Sequence, residues 1–240
     1  MKKVLVVLAL SVLSLSVASA SLIPCTVADT GAGGSVNSST VITCGVLTFD
    51  DFSIPSATAT AGASNPGVID VIPSATWYDS VNGDVQLTFD PALSASSAAD
   101  FADDEFEFAV SGGISEVDLA VGGSGASINE KVCSSAFSIP GVCTGTLYAS
   151  LTVLSGTSPQ PVCAPNAGPA SGTPPECPSD SASTNPVYIY KNILVNGPNG
   201  TLSEFSQSFN PTTIPEPVSM VLLGSGLLGL GLLRRRARKS

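Results

Sequence analysis

The sequence predicts an all-β protein: a single β-sandwich or jelly-roll-like domain, preceded by an N-terminal signal peptide and followed by one C-terminal hydrophobic helix. Three observations carry this reading. Apolar residues recur with period two rather than 3.6, the mark of strands with one face turned to a core. The 240-residue chain holds 23 glycines and 18 prolines, which make turns and interrupt helices. Its six cysteines lie behind an export signal, in a setting where disulfides form.

In chain order, Met1-Lys2-Lys3 is a basic start, Val4 to Leu15 is an apolar run, and Ala18-Ser19-Ala20 is a small-residue cleavage site. This is the pattern of a secretory signal peptide over residues 1–20, cut between Ala20 and Ser21. The exported body spans residues 21–213. Val41 to Phe49 and Val68 to Ile72 are strand candidates. Asn82-Gly83 suits a type I′ turn ahead of Val85, Leu87 and Phe89, which alternate with Gln86, Thr88 and Asp90. Phe106, Phe108 and Val110 share one face, as do Val117, Leu119 and Val121, and Gly112-Gly113 between the two runs reads as a hairpin turn. Leu147, Ala149, Leu151 and Val153 alternate with Tyr148, Ser150 and Thr152. Residues 156–186 contain eight prolines and read as a stapled surface loop inside one domain. Val187 to Val195 is another strand, which Pro198-Asn199-Gly200 turns toward Thr201 to Phe209.

Cysteine proximity favours the pairs Cys25–Cys44, Cys133–Cys143 and Cys163–Cys177, each closing a local loop. There is no C-x-x-C pair and no histidine, which argues against a metal cluster. The lack of histidine also excludes Ser-His-Asp and Cys-His nucleophile systems. A formal charge of -10 and a pI near 4.2 argue against binding nucleic acid. Within residues 21–213, eighteen acidic side chains face only Lys131 and Lys191, a formal net charge of −16. The plain reading is solubility and self-repulsion in an extracellular layer. Cation binding is the sharper alternative.

The C-terminus is tripartite. Ile214-Pro215-Glu216-Pro217 leads into the uncharged run Val218 to Leu233, and Arg234-Arg235-Arg236-Ala237-Arg238-Lys239 follows. As a helix the 16-residue run is about 24 Å long, against a hydrocarbon core of about 30 Å. It is therefore barely able to span, with the arginines on the cytoplasmic side. Gly224-Ser225-Gly226-Leu227-Leu228-Gly229 spells G-x-G-x-x-G, but too little chain follows for a dinucleotide-binding βαβ unit. Glycines that let helices pack closely in lipid explain it better.

This tail, residues 214–240, resembles the PEP-CTERM sorting signal of Gram-negative bacteria, a region also labelled an ice-binding protein C-terminal domain. Pro215, Glu216 and Pro217 match the tripeptide, and Arg234, Arg235 and Arg236 match the basic stop. The resemblance implies an inner-membrane precursor held by the C-terminal helix. An exosortase, a cysteine-dependent membrane transpeptidase, then removes the tail and passes the body to the cell surface or matrix. Such systems commonly accompany exopolysaccharide. Within the body, the segment Cys44 to Ser53 and Glu130-Lys131-Val132-Cys133 look like parts of uncharacterised PEP-CTERM proteins. That likeness implies a β-rich secreted body and nothing catalytic.

The candidate chemistry of the body is sparse. Asp100, Asp103, Asp104, Glu105 and Glu107 form an acidic cluster suited either to Ca²⁺ or to a solvated strand edge, with Glu105 and Glu107 facing outward. Gly122-Gly123-Ser124-Gly125 starts like a calcium nonapeptide but lacks its Asp and any repeat. Trp77, Tyr78, Tyr148, Tyr188 and Tyr190 suggest either strand packing or a sugar-stacking platform, with Tyr188 and Tyr190 on one face. A single Thr58-Ala59-Thr60 is no ice-binding array. Neither paired carboxylates nor a Ser-Lys dyad stands out as a catalytic signal. The expected function is therefore a non-enzymatic structural or interaction role at the surface or in the matrix, without a cofactor. The alternatives are a carbohydrate-binding module and a secreted polysaccharide-active enzyme.

Overall fold

The computed structural model describes residues 22–64, 66–80, 83–157, 159–163 and 186–212. The predicted signal peptide with its Ala20–Ser21 cleavage point, Cys177 with most of the proline-rich loop, and the sorting tail with its hydrophobic helix lie outside these residues. Among the described residues no helix is long and apolar enough to cross a membrane.

The strands, in chain order, are β1 (Leu22–Pro24), β2 (Thr26–Ala28), β3 (Val41–Cys44), β4 (Leu47–Ala59), β5 (Ala63–Ser64), β6 (Asp70–Val71), β7 (Trp77–Asp79), β8 (Val85–Asp90) and β9 (Leu93–Ala95). They continue with β10 (Phe101–Ser111), β11 (Ile114–Val121), β12 (Ala126–Cys133), β13 (Leu147–Leu154), β14 (Gln160–Cys163), β15 (Val187–Asn196), β16 (Gly200–Leu202) and β17 (Phe205–Pro211). The protein is all-β, and among the described residues the strands form three antiparallel sheets. One runs β1-β7-β8-β17-β11-β14, with β6 also paired to β8. The second runs β13-β12-β15-β10-β4-β3-β2. The third is the small sheet β16-β9-β5.

The alternation seen in the sequence decides which face each strand buries. Phe106, Phe108 and Val110 of β10, Ile189, Ile193 and Val195 of β15, and Leu47 and Phe49 of β4 are buried on the second sheet. Val85, Leu87 and Phe89 of β8, Val117 and Leu119 of β11, and Phe205 and Phe209 of β17 are buried on the first. All belong to one hydrophobic cluster. Aromatic contacts join the two sheets directly: Phe49 lies 5.0 Å from Phe209 and Phe89 lies 5.2 Å from Phe106, ring centre to ring centre. At about 25 cal/mol per Å² of apolar area, such a cluster is the main stabilising contribution.

Two turns do something other than the sequence suggests. Gly112-Gly113 does not close a hairpin, because β10 pairs with β4 and β15 whereas β11 pairs with β14 and β17. The link instead carries the chain from one sheet to the other. Both glycines have positive φ, and a Cβ on Gly112 would sit 2.3 Å from the Val46 carbonyl oxygen. A two-glycine step is a hairpin signal only when both strands stay in one sheet, which local sequence does not report. Likewise Pro198-Asn199-Gly200 leads β15 into β16, which pairs with β9, before β17 joins the other sheet. The true tight hairpin lies in the run read as a single strand, Val41 to Phe49: β3 and β4 pair around Gly45, whose φ is +59°.

Cys25–Cys44 and Cys133–Cys143 are disulfides, as the spacing predicts. The predicted partner of Cys163 lies outside the described residues.

Asp104 departs from the acidic-edge picture. It faces inward and is wholly buried, and both its oxygens accept from the Gly67 backbone N–H, at 2.9 and 3.0 Å. Burial pushes its pKa up to about 6, partly offset by the Gly67 bond, with the charge of Asp103 adding to the rise. The folded protein therefore holds this proton in a range where the unfolded chain, titrating at the usual 3.8, has lost it. The resulting stability is fully present below the unfolded value and is lost as pH rises through about 6. Burial raises Asp103, Glu107 and Asp118 as well, whereas the hydroxyl and amide donors around Asp100 lower that group and oppose the trend. Urea unfolding is expected to show stability increasing on acidification from about pH 7 to about pH 4, by on the order of 3 kcal/mol from Asp104. Asp104→Asn keeps an acceptor for Gly67, so it should remain folded and remove most of that slope.

Candidate functional site

On the outer face of the second sheet, period two brings Asp103, Glu105 and Glu107 of β10 beside Tyr188, Tyr190 and Asn192 of β15. Glu107 is directly opposite Tyr190 and Glu105 is opposite Asn192. The polar contacts run on the diagonal. The Tyr190 hydroxyl donates to Glu105 Oε1 at 2.9 Å, and Asn192 Nδ2 donates to Asp103 Oδ1 at 3.0 Å. Burial, together with the bond to Glu105, holds the Tyr190 hydroxyl well above its ordinary pKa, so it stays a donor.

The loop between β12 and β13 folds back over this face. The Cys133–Cys143 disulfide fixes its base. Phe137 packs against Tyr190 with ring centres 5.5 Å apart. Lys131 Nζ donates to the Gly141 carbonyl at 2.7 Å and lies 5.7 Å from the Tyr190 ring centre. Gly141 has φ +69°, and a Cβ there would meet Tyr190 Cζ at 2.9 Å. Only glycine brings the loop this close without strain.

A β-bulge completes the site. The β4–β10 register shifts between Glu107 and Ala109, and Asp51 has φ +54°. The bulge breaks the inward series Leu47, Phe49 so that Phe52 is the next buried residue and Asp51 faces out. Bulges commonly re-aim a side chain in this way. The product is an open cleft of about 220 Å³ lined by Asp51, Glu107, Phe108, Ala136, Phe137 and Tyr188. Burial, and then the charge of Glu105, push the Glu107 carboxyl up, against a bond from the Gly141 N–H that pulls it down. Glu107 Oε1 is buried and makes no hydrogen bond. Burial and Asp51 likewise raise Asp50. Two carboxylates to accept hydroxyl hydrogen bonds, flanked by two aromatic rings to stack an apolar ring face, suit a sugar-like ligand.

The sequence candidates distribute unevenly over this geometry. Tyr188 reaches the cleft and Tyr190 supports it from the same face, whereas Tyr148 is on β13, and Trp77 and Tyr78 belong to the other sheet. Of the five clustered acids only Glu107 lines the cleft. Asp100 instead accepts from Thr60 Oγ1, Ser96 Oγ and the Ser97 N–H. Among the described residues no group of three or more acidic or cysteine side chains is placed to hold a metal ion. Phe137 and Asp51 were not singled out from the sequence. A disulfide-closed loop and a bulge bring them in, and neither has a periodic signal.

The PEP-CTERM protein-sorting motif matches residues 213–236, a span containing Pro215-Glu216-Pro217 and Arg234-Arg235-Arg236. That motif is the substrate signal for an exosortase and implies a secreted, exosortase-processed protein. No curated protein and no solved structure matches the chain.

Gly141 and Gly156 allow the loop contact to be separated from backbone strain. Both have positive φ, but a Cβ on Gly156 meets nothing within 4 Å. Gly156→Ala is expected to cost about 1 kcal/mol from strain alone. Gly141→Ala should cost about 2–3 kcal/mol, because the loop must also lift from Tyr190. Thermal melts of the two variants check the difference.

Proposed function

We propose that the protein is a non-enzymatic component of the cell surface or extracellular matrix, delivered by an exosortase. Its β-sandwich body would bind saccharide units of an exopolysaccharide in the Asp51–Glu107–Phe137–Tyr188 cleft. The observation that carries the delivery is the sorting motif at residues 213–236. In this reading the signal peptide, residues 1–20, starts export and the apolar run 218–233 holds the precursor in the inner membrane. Arg234, Arg235 and Arg236 stop transfer, which leaves Pro215-Glu216-Pro217 at the outer face within reach of a membrane transpeptidase.

The binding half rests on the cleft. Sugar rings present apolar C–H faces to aromatic rings and hydroxyls to carboxylates, and this cleft offers both kinds of partner. A strongly acidic body favours neutral glycans over acidic ones, since like charges repel.

In a host with an exosortase, the exported protein is expected to lack Leu222 to Ser240 by mass spectrometry. Deleting that enzyme should leave the whole tail and retain the protein in the inner membrane. Changing Pro215, Glu216 and Pro217 together to Ala should do the same. Surface protein that still carries Arg234 to Lys239 would contradict the sorting reading. For the cleft, calorimetric titration with neutral polysaccharide fragments is expected to show binding. Phe137→Ala and Tyr188→Ala should each weaken it by about 1 kcal/mol. Equal affinity in the double variant would remove the cleft from the binding surface.

A further inference from the structure

Three strands each place one polar residue in the middle of an inward apolar series. On β12 it is Glu130, among Ala126, Ile128 and Val132. On β15 it is Lys191, between Ile189 and Ile193. On β17 it is Gln207, between Phe205 and Phe209. All three side chains are fully buried. Glu130 and Lys191 are direct cross-strand partners on the second sheet, and Gln207 reaches them from the first.

One carboxyl group bridges the other two residues. Lys191 Nζ pairs with Glu130 Oε2, and Gln207 Nε2 donates to Glu130 Oε1. The Phe205 ring centre lies 5.5 Å from Lys191 Nζ. Gln207 Oε1 is buried without a hydrogen-bond partner. For stability alone this arrangement is a poor choice: a buried ion pair with an unsatisfied amide is commonly matched or bettered by apolar residues of the same volume. It does assemble the parts of an acyl transfer. They are an amine, a primary amide, and a carboxyl touching both the attacking and the departing nitrogen, in a core that excludes bulk water.

We propose that Lys191 and Gln207 become joined by an intramolecular isopeptide bond, with Glu130 carrying the proton. The dry surroundings favour the neutral pair, in which the Lys191 proton has passed to Glu130. Burial lowers Lys191 and raises Glu130, each against the pull of its partner. The free amine of Lys191 adds to Gln207 Cδ, forming the Nζ–Cδ bond and moving the carbonyl π pair onto Oε1. Glu130, already protonated, gives its proton to Nε2 and then takes one from Nζ, ending as it began. The carbonyl re-forms, the Cδ–Nε2 bond breaks and ammonia leaves. Amine plus primary amide gives secondary amide plus ammonia, with no oxidant or reductant required. Holding both groups on rigid strands replaces an intermolecular encounter with a fixed one, and desolvation is what activates a lysine amine as a nucleophile. The bond would tie β15 of one sheet to β17 of the other.

The test uses the full chain, exported, purified and reduced, then digested with a glutamate-specific protease. The expected product is a branched peptide joining the Lys191 and Gln207 segments, with the mass of the two less one ammonia. Glu130→Gln, if its circular dichroism matches wild type, should yield the two peptides separately and at full mass. Separate, unmodified Lys191 and Gln207 peptides from folded wild-type protein would overturn the proposal and leave a non-covalent triad. A Lys191–Glu130 linkage formed with loss of water would overturn it too, since Gln207 would not be the acyl donor. A Lys191–Gln207 linkage persisting in folded Glu130→Gln would overturn the role given to Glu130. The wild-type digest decides the bond even where the variant fails to fold.

Discussion

Seven phenylalanines from the two large sheets form one connected set of ring contacts, and the rest of the architecture depends on it. Phe49, Phe52, Phe106 and Phe108 come from the second sheet and Phe89, Phe205 and Phe209 from the first. Sharing one cluster requires the two sheets to turn these faces toward each other. The glycine link after β10 and the β15–β16–β17 path then follow as ways of moving the chain between sheets while keeping Phe108, Phe205 and Phe209 inward. The outer face of the second sheet stays free for polar residues, and the cleft is built there.

Much of the fold was legible because burial on one face leaves a period-two signature. β8, β10, β11, β13 and β15 can be read directly from alternation such as Val85, Leu87, Phe89. β12 carries no clean apolar alternation, because Glu130 interrupts its inward series with a charge. Asp104 was hidden for the same reason, a carboxylate where the pattern calls for an apolar side chain. Two disulfides were legible because short separations along the chain make local pairing the simplest choice. Sheet membership was not, since hydrogen-bond partners far along the chain decide whether Gly112-Gly113 is a hairpin or a crossover. The candidate site was half legible. Tyr188 and Glu107 follow from alternation, but Phe137 arrives on a loop and Asp51 through a bulge.

The acidic excess also takes on a structural form. The body's two lysines are both committed, Lys191 inside the core with Glu130 and Lys131 to the Gly141 carbonyl and the Tyr190 ring. Neither side chain neutralises the carboxylates that face outward on β10. Several of those carboxyls are raised by burial and by one another, so the cost of bringing them together is met within the folded body rather than by a basic surface.

The placement of these two lysines has a consequence for survival outside the cell. No arginine occurs between residues 21 and 213, so a protease that cuts after basic residues finds only Lys131 in the body, and Lys191 only while its amine is not acylated. Both are held in central strands of a seven-stranded sheet, β12 and β15, each hydrogen-bonded to a neighbour on either side. Cleavage needs an extended segment lifted out of its sheet, and neither site can be presented without breaking two ladders at once. Digestion by trypsin-like enzymes in a shared extracellular layer is thereby coupled to the opening of the core itself.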